Sequence, residues 1–114
     1  MLRIAVIGYG YWGPNLVRNF AELDGCTLTA IADLDPEKLG LAARRHPTVR
    51  VTSEVNEVLC DAETEAVVIA TPVRTHFPLA MQALRNGKDV WLEKPMAEST
   101  DQARRLVEEA DRRA

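Results

Sequence analysis

Cysteine is scarce in this 114-residue chain: Cys26 and Cys60 are the two it has, 34 positions apart and without CxxC spacing. Neither has partner spacing for a metal or for catalysis. The expectation is two free thiols that serve as small apolar fillers in a cytoplasmic protein. Basic runs are missing as well. With 14 Lys and Arg against 17 Asp and Glu, the net charge is −3, so nothing draws the chain electrostatically to nucleic acid or anionic lipid. Long apolar runs are also absent. The stretch through Ala5-Val6-Ile7 is cut by Gly8, far too short for a signal peptide or a membrane span. There is no linker, repeat or low-complexity segment. What remains is an ordinary globular balance, 46% hydrophobic and 27% charged, with length for one domain and a real core.

Short apolar runs alternate with amphipathic stretches, the pattern of a parallel sheet covered by helices. Strands are expected at Arg3–Ile7, Leu28–Ala32, Val49–Thr52, Ala66–Ala70 and Asp89–Leu92. Between them, Pro14 opens a helix with a stripe of Leu16, Val17, Phe20 and Leu23. Asp35-Pro36-Glu37 reads as an N-cap with proline at the first helical position. Ser53 is the expected cap of a short helix carrying Val55, Val58 and Leu59. A further helix runs from about His76 to Asn86 and stops at Gly87. Ser99-Thr100-Asp101-Gln102 resembles a capping box opening a last helix on Ala103, Leu106, Val107 and Ala110. The order β-α repeated five times, with right-handed crossovers, predicts an α/β doubly wound sheet, mostly parallel, with strand order 3-2-1-4-5 and helices on both faces.

Directly after the first strand, Gly8-Tyr9-Gly10-Tyr11-Trp12-Gly13 fits G-x-G-x-x-G. Gly8 turns the chain tightly, Gly10 lets the backbone approach a pyrophosphate, and Gly13 lets helix and strand pack closely. The bland alternative is a plain strand-to-helix turn in which Trp12 only packs locally. Asp33 follows 20 residues after Gly13, at the end of the second strand. That is the place for a carboxylate accepting hydrogen bonds from adenosine ribose hydroxyls. A turn or capping aspartate is the competing reading, and Asp35 is taken as one.

Farther along, Thr71-Pro72-Val73-Arg74-Thr75-His76 and Gly87-Lys88-Asp89-Val90-Trp91-Leu92-Glu93-Lys94-Pro95 end the fourth and fifth strands at the same sheet edge. With the glycine loop and Ala32-Asp33, they make the chain resemble the NAD-binding Rossmann domain of the glucose–fructose oxidoreductase / inositol dehydrogenase (Gfo/Idh/MocA) family over about residues 2–110. Val73 stands where asparagine is frequent in that family, and Asp89 where histidine is frequent. The resemblance implies that Gly8, Gly10, Tyr11, Trp12 and Gly13 form the pyrophosphate loop and that Asp33 binds the adenosine ribose. It implies that Thr71, Pro72 and His76 line the middle of the cofactor, and that Glu93 and Lys94 reach the nicotinamide end. The Lys94–Pro95 bond is often cis in such proteins. Lys94 is the one catalytic candidate: a lysine there is commonly a solvated charge, but in a half-buried pocket its ammonium would orient and polarise a substrate hydroxyl.

The function so implied is the NAD-binding domain, residues 1–114, of an NAD-dependent dehydrogenase. Such an enzyme moves a hydride between the cofactor and the CH–OH group of a sugar, cyclitol or nucleotide-sugar. The family's C-terminal substrate domain is expected to lie outside this chain, the fragment alone to be inactive, and a homo-oligomer to form. Two other readings stay open. A stand-alone NAD(H)-sensing regulatory module would not need Glu93-Lys94-Pro95. An interaction subunit that had lost its ligand would not need an intact glycine loop and Asp33. Asp33 also favours NAD over NADP, because Leu34 supplies no cation and Arg44 and Arg45 lie two to three turns into the next helix.

Overall fold

A computed structural model describes residues 1–113 of the chain. The apolar runs form five strands: β1 (Leu2–Ile7), β2 (Cys26–Ala32), β3 (Arg50–Thr52), β4 (Ala66–Ile69) and β5 (Asp89–Leu92). Every neighbouring pair is parallel, and the order is β3-β2-β1-β4-β5, as expected from right-handed crossovers. The two central strands explain their own composition. Ile4–Ile7 and Ala66–Ile69 are buried throughout, because helices cover both faces of a parallel sheet.

Helices α1 (Gly13–Glu22) and α2 (Pro36–Arg45) cover one face, and α3 (Val55–Leu59), α4 (His76–Arg85) and α5 (Thr100–Arg113) the other. The pleat of β1 divides its side chains accordingly. Ile4 and Val6 pack with Val17 of α1 and Ala42 of α2. Ala5 and Ile7 pack with Leu59, Ala80, Ala83 and Leu106. The helix starts are chemically distinct: Asp35 caps α2 by accepting from the Glu37 amide at 2.9 Å, whereas α1 begins without a side-chain cap or a first-turn acid.

Four local expectations are corrected. Leu23 falls just beyond α1 and is exposed, so the apolar stripe ends at Phe20. Ser53 does not cap α3; the N-cap is Glu54, whose amide donates to Thr52 Oγ1 at 3.0 Å. Cys60 is exposed rather than a filler, because it lies past the buried turn of Val58 and Leu59. At α5 only the return bond of the box is displaced by one residue: Ser99 Oγ accepts from the Gln102 amide as expected, while Gln102 Oε1 accepts from the Glu98 amide.

Behind the sheet's amino edge, Lys88 is 6% exposed. Its ammonium donates to the Asp61 carbonyl at 2.6 Å and the Thr64 carbonyl at 2.7 Å, tying the α4–β5 turn to the turn before β4. Lys88→Met would leave two acceptors unmatched and is expected to destabilise the fold by ~2–3 kcal/mol. Urea unfolding checks this as a lower midpoint at unchanged slope.

Candidate functional site

The site is built where β1, β2, β4 and β5 end, and the glycine loop sets its geometry. Gly8 has φ +105°, and a Cβ there would lie 2.7 Å from the Ala70 carbonyl oxygen. A Cβ at Gly13 would lie 2.1 Å from the Gly8 carbonyl oxygen. The chain itself demands both glycines. Gly10 differs: apart from its chain neighbours, the one atom of the described residues within 4 Å of its Cβ position is Lys38 Nζ, at 3.5 Å. Gly10 instead borders a cleft of about 350 Å³, with the uncapped start of α1 beside it. That is the arrangement a phosphate needs to approach backbone N–H groups.

Tyr11 and Trp12 stand on the rim, 90% and 54% exposed, and pack edge-to-face against each other with centroids 5.7 Å apart. Local packing of Trp12 and a place on the cleft wall are therefore both realised. Asp33 takes the turn role that was its competing reading. Its Oδ2 accepts from the Tyr9 amide at 2.7 Å and its Oδ1 from the Asp35 amide at 2.9 Å. It thus holds the glycine loop against the start of α2, while each carboxylate oxygen keeps a further lone pair.

The opposite wall comes from β4 and β5. Thr71, Pro72, Glu93 and Lys94 all border the cleft, and the Glu93 amide extends the sheet by donating to Ile69 at 3.2 Å. His76 is 2% exposed. Its Nε2 lies 2.8 Å from the Thr71 carbonyl oxygen and its Nδ1 2.9 Å from that of Pro95. The ring therefore sits between the two loops and borders the cleft; in either neutral tautomer its one N–H donates to one of the two carbonyls. The Lys94–Pro95 peptide is cis. Lys94 is exposed rather than half-buried, a correction that follows from its place at the open rim.

The model describing an oxidoreductase family with an NAD-binding Rossmann fold, GFO_IDH_MocA, matches residues 2–114. The chain belongs to this Gfo/Idh/MocA family. Inositol 2-dehydrogenase of Rubrobacter xylanophilus is 38% identical over 108 residues, spanning 94% of this chain and 31% of that protein. Two solved structures superpose closely. GenD2 from gentamicin A biosynthesis, in complex with NAD, gives a TM-score of 0.92 at 35% identity, covering 98% of this chain and 32% of that one. The WlbA dehydrogenase from Bordetella pertussis, in complex with NADH and UDP-GlcNAcA, gives 0.90 at 29% identity, covering 98% and 34%. The chain thus spans about a third of the length of the relatives it matches and carries the family's NAD-binding domain.

One charged cleft residue escaped the sequence reading of this family domain. Lys38 borders the cleft across from Lys94, although only Leu34, Arg44 and Arg45 had been weighed as cation positions. The signal was present. The Asp35 cap fixes the helix start, so Lys38 is the third helical residue, and helical side chains lean toward the N-terminus.

The glycine geometry separates fold from binding. Gly13→Ala is expected to cost at least ~2–3 kcal/mol, because backbone rather than a flexible side chain blocks the methyl group. Gly10→Ala, at a position without positive φ, is expected to change stability by less than about 0.5 kcal/mol. Thermal unfolding of the two variants side by side checks the contrast.

Proposed function

We propose that this domain supplies the cofactor side of an NAD-dependent dehydrogenase acting on the CH–OH group of a sugar, cyclitol or nucleotide-sugar. The observation that carries the reading is Gly10: its open face shares one cleft with Glu93 and Lys94, whereas its two partner glycines are required by the backbone itself. The relatives' printed names, an inositol 2-dehydrogenase and a dehydrogenase with UDP-GlcNAcA, support the substrate class. The same names disfavour a purely regulatory module.

In this reading Gly8, Gly10 and Gly13, with Tyr11 and Trp12, form the diphosphate side. The free lone pairs of Asp33 accept from adenosine ribose hydroxyls. Thr71 and Pro72 border the nicotinamide ribose, and buried His76 sits between their loop and the Lys94–Pro95 segment. Glu93 and Lys94 border the nicotinamide end. The chemistry the cofactor supplies when bound is hydride exchange with a carbinol carbon. Lys94, the catalytic residue of the proposal, donates a hydrogen bond to the substrate hydroxyl oxygen, fixing its direction and polarising it. The substrate's other contacts are assigned to a second domain of the kind the family's longer members carry. Self-association is supported by the free edge of β5 and by the apolar groove of Leu84, Val90, Leu92 and Val107 beside it. Two free thiols support a cytoplasmic setting.

Calorimetric titration of the chain tests the reading. NAD is expected to bind, Gly10→Ala to abolish binding, and unchanged affinity in that variant to refute the role of the loop. Asp33 is expected to hold NAD at least about tenfold ahead of NADP, through repulsion of a 2′-phosphate and the ribose hydrogen bonds it accepts. Asp33→Ser with Leu34→Arg is expected to move that preference toward NADP; equal binding of both cofactors by the unaltered chain would remove Asp33 from the site. Residues 1–114 alone are expected to give no turnover, since one wall of a cleft cannot hold a substrate in near-attack geometry.

A further inference from the structure

Lys38 has no evident task in the fold. It is exposed, and among the described residues its ammonium takes part in no ion pair or hydrogen bond. Asp35, the acid one turn back, already accepts from the Glu37 amide. A cation in the first turn of α2 also sits at the wrong end of the helix dipole, while Arg44 and Arg45 in the last turn sit at the favourable end. Intrinsic helix stability therefore gives no reason for a lysine at this position.

Its location does give one. Lys38 Nζ lies 3.5 Å from the position a Cβ would take on Gly10, the one glycine of the loop whose Cβ position backbone does not block. It borders the same cleft as Tyr11, Trp12 and Thr71. An anion that approaches the Gly10 backbone must come within reach of this ammonium. Lysine suits that task because it meets phosphate as a mobile point charge and needs no fixed fork geometry.

We propose that Lys38 is a diphosphate-binding residue, closing over the cofactor's diphosphate from α2 while the glycine loop holds it from below. The proposal rests on the NAD-binding reading of the cleft and adds to it a charged contact outside the glycine loop. The contact is assigned to the diphosphate because the ammonium stands at Gly10, the loop position whose Cβ site backbone leaves open to a ligand.

The test is calorimetric titration of the chain and its Lys38→Gln and Lys38→Arg variants with NAD, ADP-ribose and NADP at several salt concentrations. Lys38→Gln is expected to weaken NAD and ADP-ribose alike by about tenfold. It should also flatten the dependence of affinity on salt, since one screened charge pair is lost. Lys38→Arg is expected to restore most of the affinity, and the melting temperature should stay constant throughout. Undiminished NAD affinity in Lys38→Gln, an unchanged salt dependence, or a loss confined to NADP would overturn the proposal and leave the cofactor reading standing. Absence of NAD binding by the unaltered chain would instead defeat the cofactor reading, and this one with it.

Discussion

The approach of α1 to the end of β1 leaves no room for a side chain, and the whole cleft depends on it. Gly13 sits so close to the Gly8 carbonyl that even a methyl group would overlap backbone. This approach brings the uncapped start of α1 to the sheet edge, and the Gly8 amide still pairs with Ala32 at 2.7 Å. Tyr9, 2% exposed, turns inward between them, and its amide is held by Asp33. With its flanks fixed in this way, the loop has one outward backbone face, at Gly10. A binding surface made of backbone thus follows from a packing constraint.

The opposite wall is stabilised by a different device. Thr71–Thr75 and the Lys94–Pro95 segment lie beyond the paired residues of β4 and β5, so the strand ladder does not hold them to each other. His76 lies between them in a buried position, facing the carbonyl of each segment. Thr75 Oγ1 adds a bond to the Pro72 carbonyl at 2.6 Å. On the far edge of the sheet Lys88 performs the comparable task for the turns before β4 and β5. Burying these polar side chains is tolerable because backbone carbonyls meet them, and the result is that the β4 and β5 segments form one wall of the cleft together.

The architecture was legible in the sequence because apolar runs, crossover handedness and glycine spacing are local or nearly local signals. Strand order, the Asp35 cap and the structural roles of Gly8 and Gly13 all follow from them. Other features depend on partners distant in the chain. Thr29 forms a bulge in β2, where the register with β1 shifts, and its hydroxyl meets Ile4 and Thr64; neither partner is a sequence neighbour. His76 borders the cleft, but that its ring also faces the carbonyls of Thr71 and of Pro95, 19 residues away, is not legible in one dimension. Cys60 and Ser53 were misassigned for a smaller reason. A helix as short as α3, five residues, buries so little that one residue of drift changes which side chain caps it and which faces water.

Charge makes the same point about scale. A net charge of −3 argues against a polyanion as partner, yet the cleft carries a lysine on each wall, Lys38 and Lys94. The two observations agree once distance is considered. Exposed charges farther apart than ~8 Å are largely screened at physiological ionic strength, so the acids spread over the surface do little to cancel an ammonium at the rim. What a small anionic ligand meets is the local set: open backbone at Gly10, the start of α1, and these two ammonium groups, with Glu93 as the acid on the far wall. Net charge governs association with extended polyanions, and the cleft governs a ligand that fits inside it.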